Sequence, residues 1–263
     1  MPDTEPRLAV VGPGLIGTSV ALAASRRWPG LEVRTVDQGD PLESISDSLV
    51  VILAMPVDVI IRTLPRLGSI MHPQALVIDT GSTKRAIMTA AAAAQLPQFV
   101  GGHPMAGGTT TGPSEARPDL FDGRAWFLTN PDAPDAVRRA VKFVEALGAR
   151  PVVLTDRGEE HDRLMAAVSH LPQLVASALM VTVARAVGDD NLTWAGKGLR
   201  DTTRLASSQA SVWESVLATN SQELKPLLRV LASQLVNLSD QLDDRKAIRA
   251  FFDEAARAKS SCL

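Results

Sequence analysis

Leu8-Ala9-Val10-Val11-Gly12-Pro13-Gly14-Leu15-Ile16-Gly17 is the stretch that decides the fold, because an apolar β-branched run passes at once into G-x-G-x-x-G and then into the helix-forming residues 18–27. Strand, glycine turn and helix in that order make a setting for a pyrophosphate. Gly12 permits the tight turn, Gly14 presents no side chain to block the phosphates, and Gly17 lets the helix pack closely on the strand. The unpaired N–H groups and the dipole at the helix N-terminus favour an anion there. Leu15 and Ile16 complete the turn. A second apolar run, Leu31 to Val36, ends at Asp37, twenty residues after Gly17. A carboxylate there accepts hydrogen bonds from both ribose hydroxyls of a dinucleotide and repels a 2′-phosphate, so the cofactor read from these residues is NAD rather than NADP.

Working outward, only eleven residues separate Asp37 from the next apolar run at Leu49. A helix, a strand and a crossover do not fit in that space, so this half of the sheet is expected to be trimmed after its second strand. Leu49 to Ala54 and Leu76 to Asp79 are continuous apolar runs of the kind buried on both faces of a parallel sheet. Helical spacing lies between them and again at Met88 to Gln95, and strands are expected at Phe99 to Gly102, Ala125 to Thr129 and Pro151 to Leu154. This alternation predicts an α/β fold: a doubly wound, Rossmann-type domain over residues 1–156. Residues 157–263 carry no strand signal and are expected to form an all-helical second domain. Asp156 is placed to cap its first helix, Leu164, Val168, Leu171, Leu174 and Leu179 form its stripe, and Pro172 is expected to kink it. A second stripe, Leu224, Leu227, Leu228, Leu231, Leu235 and Leu238, is expected to supply a core of its own and to leave apolar surface for a twin subunit.

Composition narrows the class. The chain has 263 residues, 45% of them hydrophobic, and a net charge of −2. That is enough for two cores, and neither half has the basic excess of a nucleic-acid binder. The longest apolar runs, such as Leu49 to Val57, are too short to span a bilayer, and the N-terminus lacks a signal-peptide layout, so no membrane association is expected. One cysteine, Cys262, excludes an internal disulfide framework and fits a reducing cytoplasm. One cysteine and no His-Glu-x-x-His spacing also argue against a metal site.

In a doubly wound sheet the reacting end of a dinucleotide lies beyond the C-terminal ends of the strands, which makes Ser82 and His103 the catalytic candidates. A neutral imidazole at His103 can take the proton of a substrate hydroxyl while hydride leaves the same carbon, and Ser82 can hold the imidazole or the nicotinamide. Position alone leaves open that His103 is a structural histidine before Pro104.

Six motifs then follow one another: Gly12 to Gly17, Asp79-Thr80-Gly81-Ser82-Thr83-Lys84, Gly101-Gly102-His103-Pro104-Met105-Ala106-Gly107, Glu160-His161-Asp162, Ser169-His170-Leu171-Pro172 and Arg200-Asp201-Thr202-Thr203-Arg204. In that order the chain resembles the prephenate and arogenate dehydrogenases over nearly its whole length. The resemblance implies an oxidative decarboxylation on the way to tyrosine. Hydride passes from the hydroxyl-bearing carbon of a cyclohexadienol to NAD, and carbon dioxide leaves as the ring becomes aromatic. It implies that His103 accepts the hydroxyl proton with Ser82 orienting it, and that Arg204 binds a substrate carboxylate, for which the guanidinium fork is suited. Ser169 and Trp213 match residues near the family's site and can equally be packing residues. His161 is expected to serve the first helical turn or the domain junction, and His170 to be structural.

The sequence also departs from the family's pattern. Gly108-Thr109-Thr110-Thr111-Gly112 stands where many relatives have Thr-Glu-Lys-Ser-Gly, Lys197 interrupts a glycine run, and Gln173 replaces a second histidine after Leu-Pro. An uncharged amide at Gln173 offers an ammonium a carbonyl acceptor and does not repel it. Arogenate, which carries an amino acid side chain, is therefore expected to be preferred over prephenate, with an amino-substituted prephenate analogue as a further possibility, unless Gln173 faces another helix. No regulatory β segment follows the helices, so end-product control by an appended domain is not expected. From a different class, a dinucleotide-binding dimer without turnover would need the glycine turn and Asp37 but not Ser82, His103 and Arg204 together.

Overall fold

A computed structural model describes residues 7–106 and 112–260. Their strands form one sheet of seven in the order β2-β1-β3-β4-β5-β6-β7: β1 Leu8–Val11, β2 Val33–Val36, β3 Val50–Leu53, β4 Leu76–Asp79, β5 Phe99–Pro104, β6 Ala125–Thr129 and β7 Arg150–Leu154. In β1, Leu8 and Val10 enter the core on one face while Ala9 and Val11 enter the core on the other. Being buried on both faces is what made the strand read as an unbroken apolar run. The first core packs the sheet against α1 Leu15–Arg27 and α4 Pro134–Ala146. The second packs it against α2 Val57–Ile70 and α3 Arg85–Ala93.

The expected trimming is present. Between β2 and β3 lies only a 3₁₀ turn, Leu42–Ile45, whose Leu42 and Ile45 plug the second core. Two strands depart from the parallel reading: β6 runs antiparallel to β5, and β7, which pairs parallel with β6, shares its direction. A parallel return needs a covering crossover, and among the described residues between β5 and β6 there is only the short turn Pro113–Glu115.

The remainder is helical: α5 Glu159–Met165, a π-helical turn Ala166–His170, α6 Leu171–Val187, α7 Lys197–Thr202, α8 Ala210–Thr219, α9 Ser221–Asp240 and α10 Arg245–Ser260. Asp156 accepts from the N–H groups of Gly158 and Glu160, capping the entry to α5 as expected. The interruption expected at Pro172 takes the form of the π turn just before it. Proline has no N–H for the carbonyl of Val168, and the widened turn absorbs the loss.

Two expectations about the helices need correction. Their stripes do not close a core within one chain: Leu224 is buried, but Leu164 is 40%, Val168 56% and Leu235 58% exposed. The buried face of α5 instead carries His161, Asp162 and Met165, turned towards the sheet domain. The second is the expectation that no apolar run is long enough to span a bilayer. Across the π turn, Glu159–Val187 is a continuous 29-residue helical run, long and apolar enough by length and composition to cross a membrane. Shorter apolar runs had hidden it, because His161, Asp162, His170 and Gln173 break the hydropathy of its first half.

Candidate active site

The glycine turn fits a dinucleotide. Gly12 has φ +92°, and a Cβ there would lie 2.6 Å from the carbonyl oxygen of Ala54; a Cβ on Gly17 would lie 2.2 Å from the Gly12 carbonyl oxygen. At Gly14 a Cβ would meet nothing within 4 Å, so the space above the N-terminus of α1 is an open cradle. No acidic side chain occupies the first turn of α1 to compete with a phosphate. A cavity of about 770 Å³ runs from Gly12 and Gly14 to Asp37 and is also lined by Arg62 and Arg66. Both arginines are already paired, Arg62 with Asp58 and Arg66 with Glu43, so they do not offset the charge of Asp37. A second cleft of about 390 Å³ joins Gly14, Leu15 and Ile16 to Ser82, with Val212 and Val216 of α8 among its lining. Ser82 thus stands beside the cradle.

His103 lies inside β5, one residue before the strand ends, and is half-buried. Its Nδ1 is 2.9 Å from Nε2 of His161, while its own Nε2 has no hydrogen-bond partner among the described residues. Burial is the main reason its pKa lies well below the ordinary imidazole value, followed by the charges of His161, Lys84 and His170. The ring is neutral at neutral pH, the state a proton acceptor requires.

Around it the sheet edge is tied down by buried polar groups. Asp79, ending β4, accepts from the N–H of Gly81 (2.8 Å) and of Gly102 (3.0 Å) and pairs with Lys84; both side chains are fully buried. Burial pushes the Asp79 carboxyl up and the Lys84 ammonium down, and each partner's charge pulls the other back. Asp162 accepts from the backbone N–H groups of Lys84 (2.6 Å) and Arg85 (3.0 Å), which open α3. Arg85 reaches Glu223 at 2.7 Å, and Thr83 reaches Thr219 at 2.8 Å. The helical region is therefore bonded directly to the residues that follow Ser82.

The other sequence-predicted residues fall into two groups. Trp213 packs against the second core and meets His170 edge-on with ring centroids 5.8 Å apart, a packing role at the junction. Ser169 is half-buried in the π turn. Arg204 opens an exposed 3₁₀ turn, Arg204–Ser207, and makes no ion pair among the described residues; it stands outside the bonded cluster around His103. Gln173 takes the alternative left open for it and faces another segment of the helical region. It is buried, its amide nitrogen donating to the Leu205 carbonyl (2.8 Å) and its amide oxygen accepting from Ser208 (3.2 Å). It holds the segment next to Arg204 instead of standing free in a pocket. The altered run Gly108 to Thr111 and Cys262 lie outside the described residues.

Of the two places expected for His161, the first helical turn or the domain junction, the structure gives the junction and sets the ring against His103. The available signal was the pair of adjacent polar residues, His161 and Asp162, one turn before the apolar Met165 and Ala166 on the inward face of a short helix.

A nucleotide cradle, a neutral imidazole on the same sheet edge and a helical region bonded across that edge define the architecture of a dinucleotide-dependent dehydrogenase. Two family models match: the prephenate dehydrogenase nucleotide-binding domain over residues 15–171 and the prephenate dehydrogenase dimerization domain over 157–252. The chain belongs to the prephenate dehydrogenase family. It is 31% identical to a Bacillus subtilis prephenate dehydrogenase over 85% of this chain, and spans 66% of that relative's length. Among solved structures, Synechocystis arogenate dehydrogenase superposes with a TM-score of 0.81 at 25% identity, covering 98% of this chain and 100% of that one. Prephenate dehydrogenase from Aquifex aeolicus superposes at 0.88 and 22% identity, covering 99% and 98%, which speaks for the shared fold.

Proposed function

We propose that the chain is an NAD-dependent dehydrogenase that oxidatively decarboxylates a cyclohexadienyl acid of the prephenate and arogenate type. The observation that carries this reading is His103: a neutral imidazole held through Nδ1, with Nε2 unpartnered among the described residues, on the sheet edge that also bears the glycine cradle and Ser82. Bound NAD would supply the hydride acceptor. Gly12, Gly14, Leu15, Ile16 and Gly17 would hold its pyrophosphate and Asp37 its ribose. Nε2 of His103 would take the proton of the substrate hydroxyl, so that the electron pair left on oxygen helps expel hydride from the same carbon. The ring carboxylate would then leave as carbon dioxide, its bonding pair completing the aromatic ring and returning the carbonyl pair to oxygen, which recovers its proton from Nε2 of His103. Ser82 would steady the groups at the cradle, and Arg204, exposed and without an ion pair among the described residues, would bind a substrate carboxylate.

On the side chain of the substrate we favour arogenate. With its amide bonded to Leu205 and Ser208, Gln173 supports that choice only by being uncharged, since it fixes the segment beside Arg204 without placing a cation near an ammonium. We place the domain boundary at 156/157. The exposed apolar residues of α6, α9 and α10, among them Val181, Val230, Val236 and Phe252, support a homodimer in which the partner, not a bilayer, covers Glu159–Val187. The test is NADH formation with prephenate and with arogenate side by side, in the parent and in Gln173→His. Turnover of both with arogenate ahead, and a ratio that moves towards prephenate in the variant, is the expected result. No NADH from either compound would refute the reading, and efficient oxidation of prephenate alone would refute the substrate preference.

A further inference from the structure

Two side chains that the proposed reaction leaves unassigned, His161 and Asp162, connect His103 to the helical region. Nδ1 of His161 is 2.9 Å from Oδ1 of Asp162, and Nε2 of His161 is 2.9 Å from Nδ1 of His103, so three groups lie in one hydrogen-bonded line. Both members of the pair are fully buried. Hydrogen-bond logic fixes the protons along that line. Asp162 also accepts from the backbone N–H groups of Lys84 and Arg85, an environment that demands an acceptor and so an ionised carboxylate. Hydrogen bonding to His161 and to those N–H groups lowers its pKa against the effect of burial. A carboxylate can only accept, so Nδ1 of His161 carries the proton. Burial keeps His161 neutral, which makes its Nε2 an acceptor. Nδ1 of His103 must then be the donor, and Nε2 of His103 is left with its lone pair free.

We propose that His161 and Asp162 are positioning residues that set the tautomer of His103, holding its proton on Nδ1 so that Nε2 is always the basic atom. The assignment rests on His103 being the base. The same line would favour the charge that forms when Nε2 gains a proton, because the new imidazolium donates from Nδ1 into a chain ending in a carboxylate. A helix-turn or domain-junction role would account for Asp162 on the N–H groups of Lys84 and Arg85. It gives no reason for a second imidazole to stand end-on to His103.

The test uses the full chain. In Asp162→Asn the amide can donate to Nδ1 of His161, which flips both rings and puts the proton on Nε2 of His103. We expect kcat to fall by about 10²-fold or more while KM and the Kd for NAD change by less than about threefold, the pattern of an interaction made only in the transition state. His161→Gln, whose amide oxygen can still accept from Nδ1 of His103, should keep at least about a tenth of the parent kcat, whereas His161→Leu should fall with Asp162→Asn. Histidine ¹⁵N NMR reads the tautomer without reference to turnover: the parent should show protonated Nδ1 and bare Nε2 at His103, and Asp162→Asn the reverse. The spectra should be taken across pH 5 to 8, because His103, His170, Asp79, Lys84 and Arg85 all face the pair. A parent spectrum with the proton on Nε2 of His103, or a Gln variant no better than the Leu variant, overturns the proposal. If the tautomer flips as expected but kcat does not move, the base assignment of His103 fails instead, and full activity in His103→Asn would show that separately.

Discussion

Asp37 and His103 sit at the ends of two strands of one sheet, on the same edge, yet they are built in opposite ways. Asp37 is exposed, and its contacts are local: one carboxylate oxygen accepts the N–H of Gln38, and its own N–H donates to Asp40. His103 is held by a side chain 58 residues away, in a line that ends on the backbone of α3. A group that recognises a ligand arriving from solvent needs only a turn to place it. A group that must stay neutral and keep one nitrogen free needs neighbours from several elements, and here the helical region supplies them. The difference also bears on how the two regions are joined, since the bonds that support His103 are bonds that dock α5 on the sheet domain.

The comparison can be broken hardest at the buried end. Lys84→Met removes the partner of a fully buried Asp79 and should cost about 3–5 kcal/mol of stability at neutral pH, read from urea unfolding. A loss below about 1 kcal/mol would mean that the pair does not hold the edge. Acid should sharpen the same point. His170 is buried with its Nδ1 accepting from Asn220, and burial pushes its pKa down to about 4. Because this lies below the unfolded value, the unfolded chain takes the proton first. Stability is therefore complete above about pH 6.5, falls as the pH drops, and has lost this contribution below about pH 4. The interval is worth about 3 kcal/mol, and His103 and His161 shift in the same direction. Equal stability at pH 7 and pH 5 would contradict the neutral, buried cluster, and His170→Gln should flatten the slope.

At the ligand-facing sites the expected effects are smaller and fall on binding. Arg204→Ala should raise KM about tenfold or more with kcat little changed, the scale of one lost charged hydrogen bond. A fall in kcat at constant KM would place Arg204 elsewhere. Asp37→Ser should leave the fold unchanged and erode the preference for NAD over NADP by about tenfold, measured as the ratio of kcat/KM for the two nucleotides. Equal use of both by the parent would remove Asp37 from the ribose site.

What could be read from the sequence follows the same division. The glycine turn, the buried strands and the trimming between Asp37 and Val50 are consequences of neighbouring residues, so pattern and spacing revealed them. The antiparallel β6 was hidden because strand direction depends on how the chain returns, not on the strand's own residues. The partners of His161 and Gln173 were hidden for a related reason: each bonds to a segment distant in sequence, and a helical stripe shows which residues are apolar but not where a polar one points. The stripes of α6 and α9 were read as a core because periodicity alone does not say whether the facing surface belongs to the same chain or to another.

The proposed role of His103 is to accept the proton while taking no part in holding the nucleotide. It is tested most directly by His103→Asn, measuring NAD affinity by equilibrium titration and turnover with arogenate and prephenate on the same preparation. The expected result is an unchanged Kd for NAD and a loss of kcat of about 10²-fold or more. A variant that binds NAD and turns over at the parent rate would contradict it.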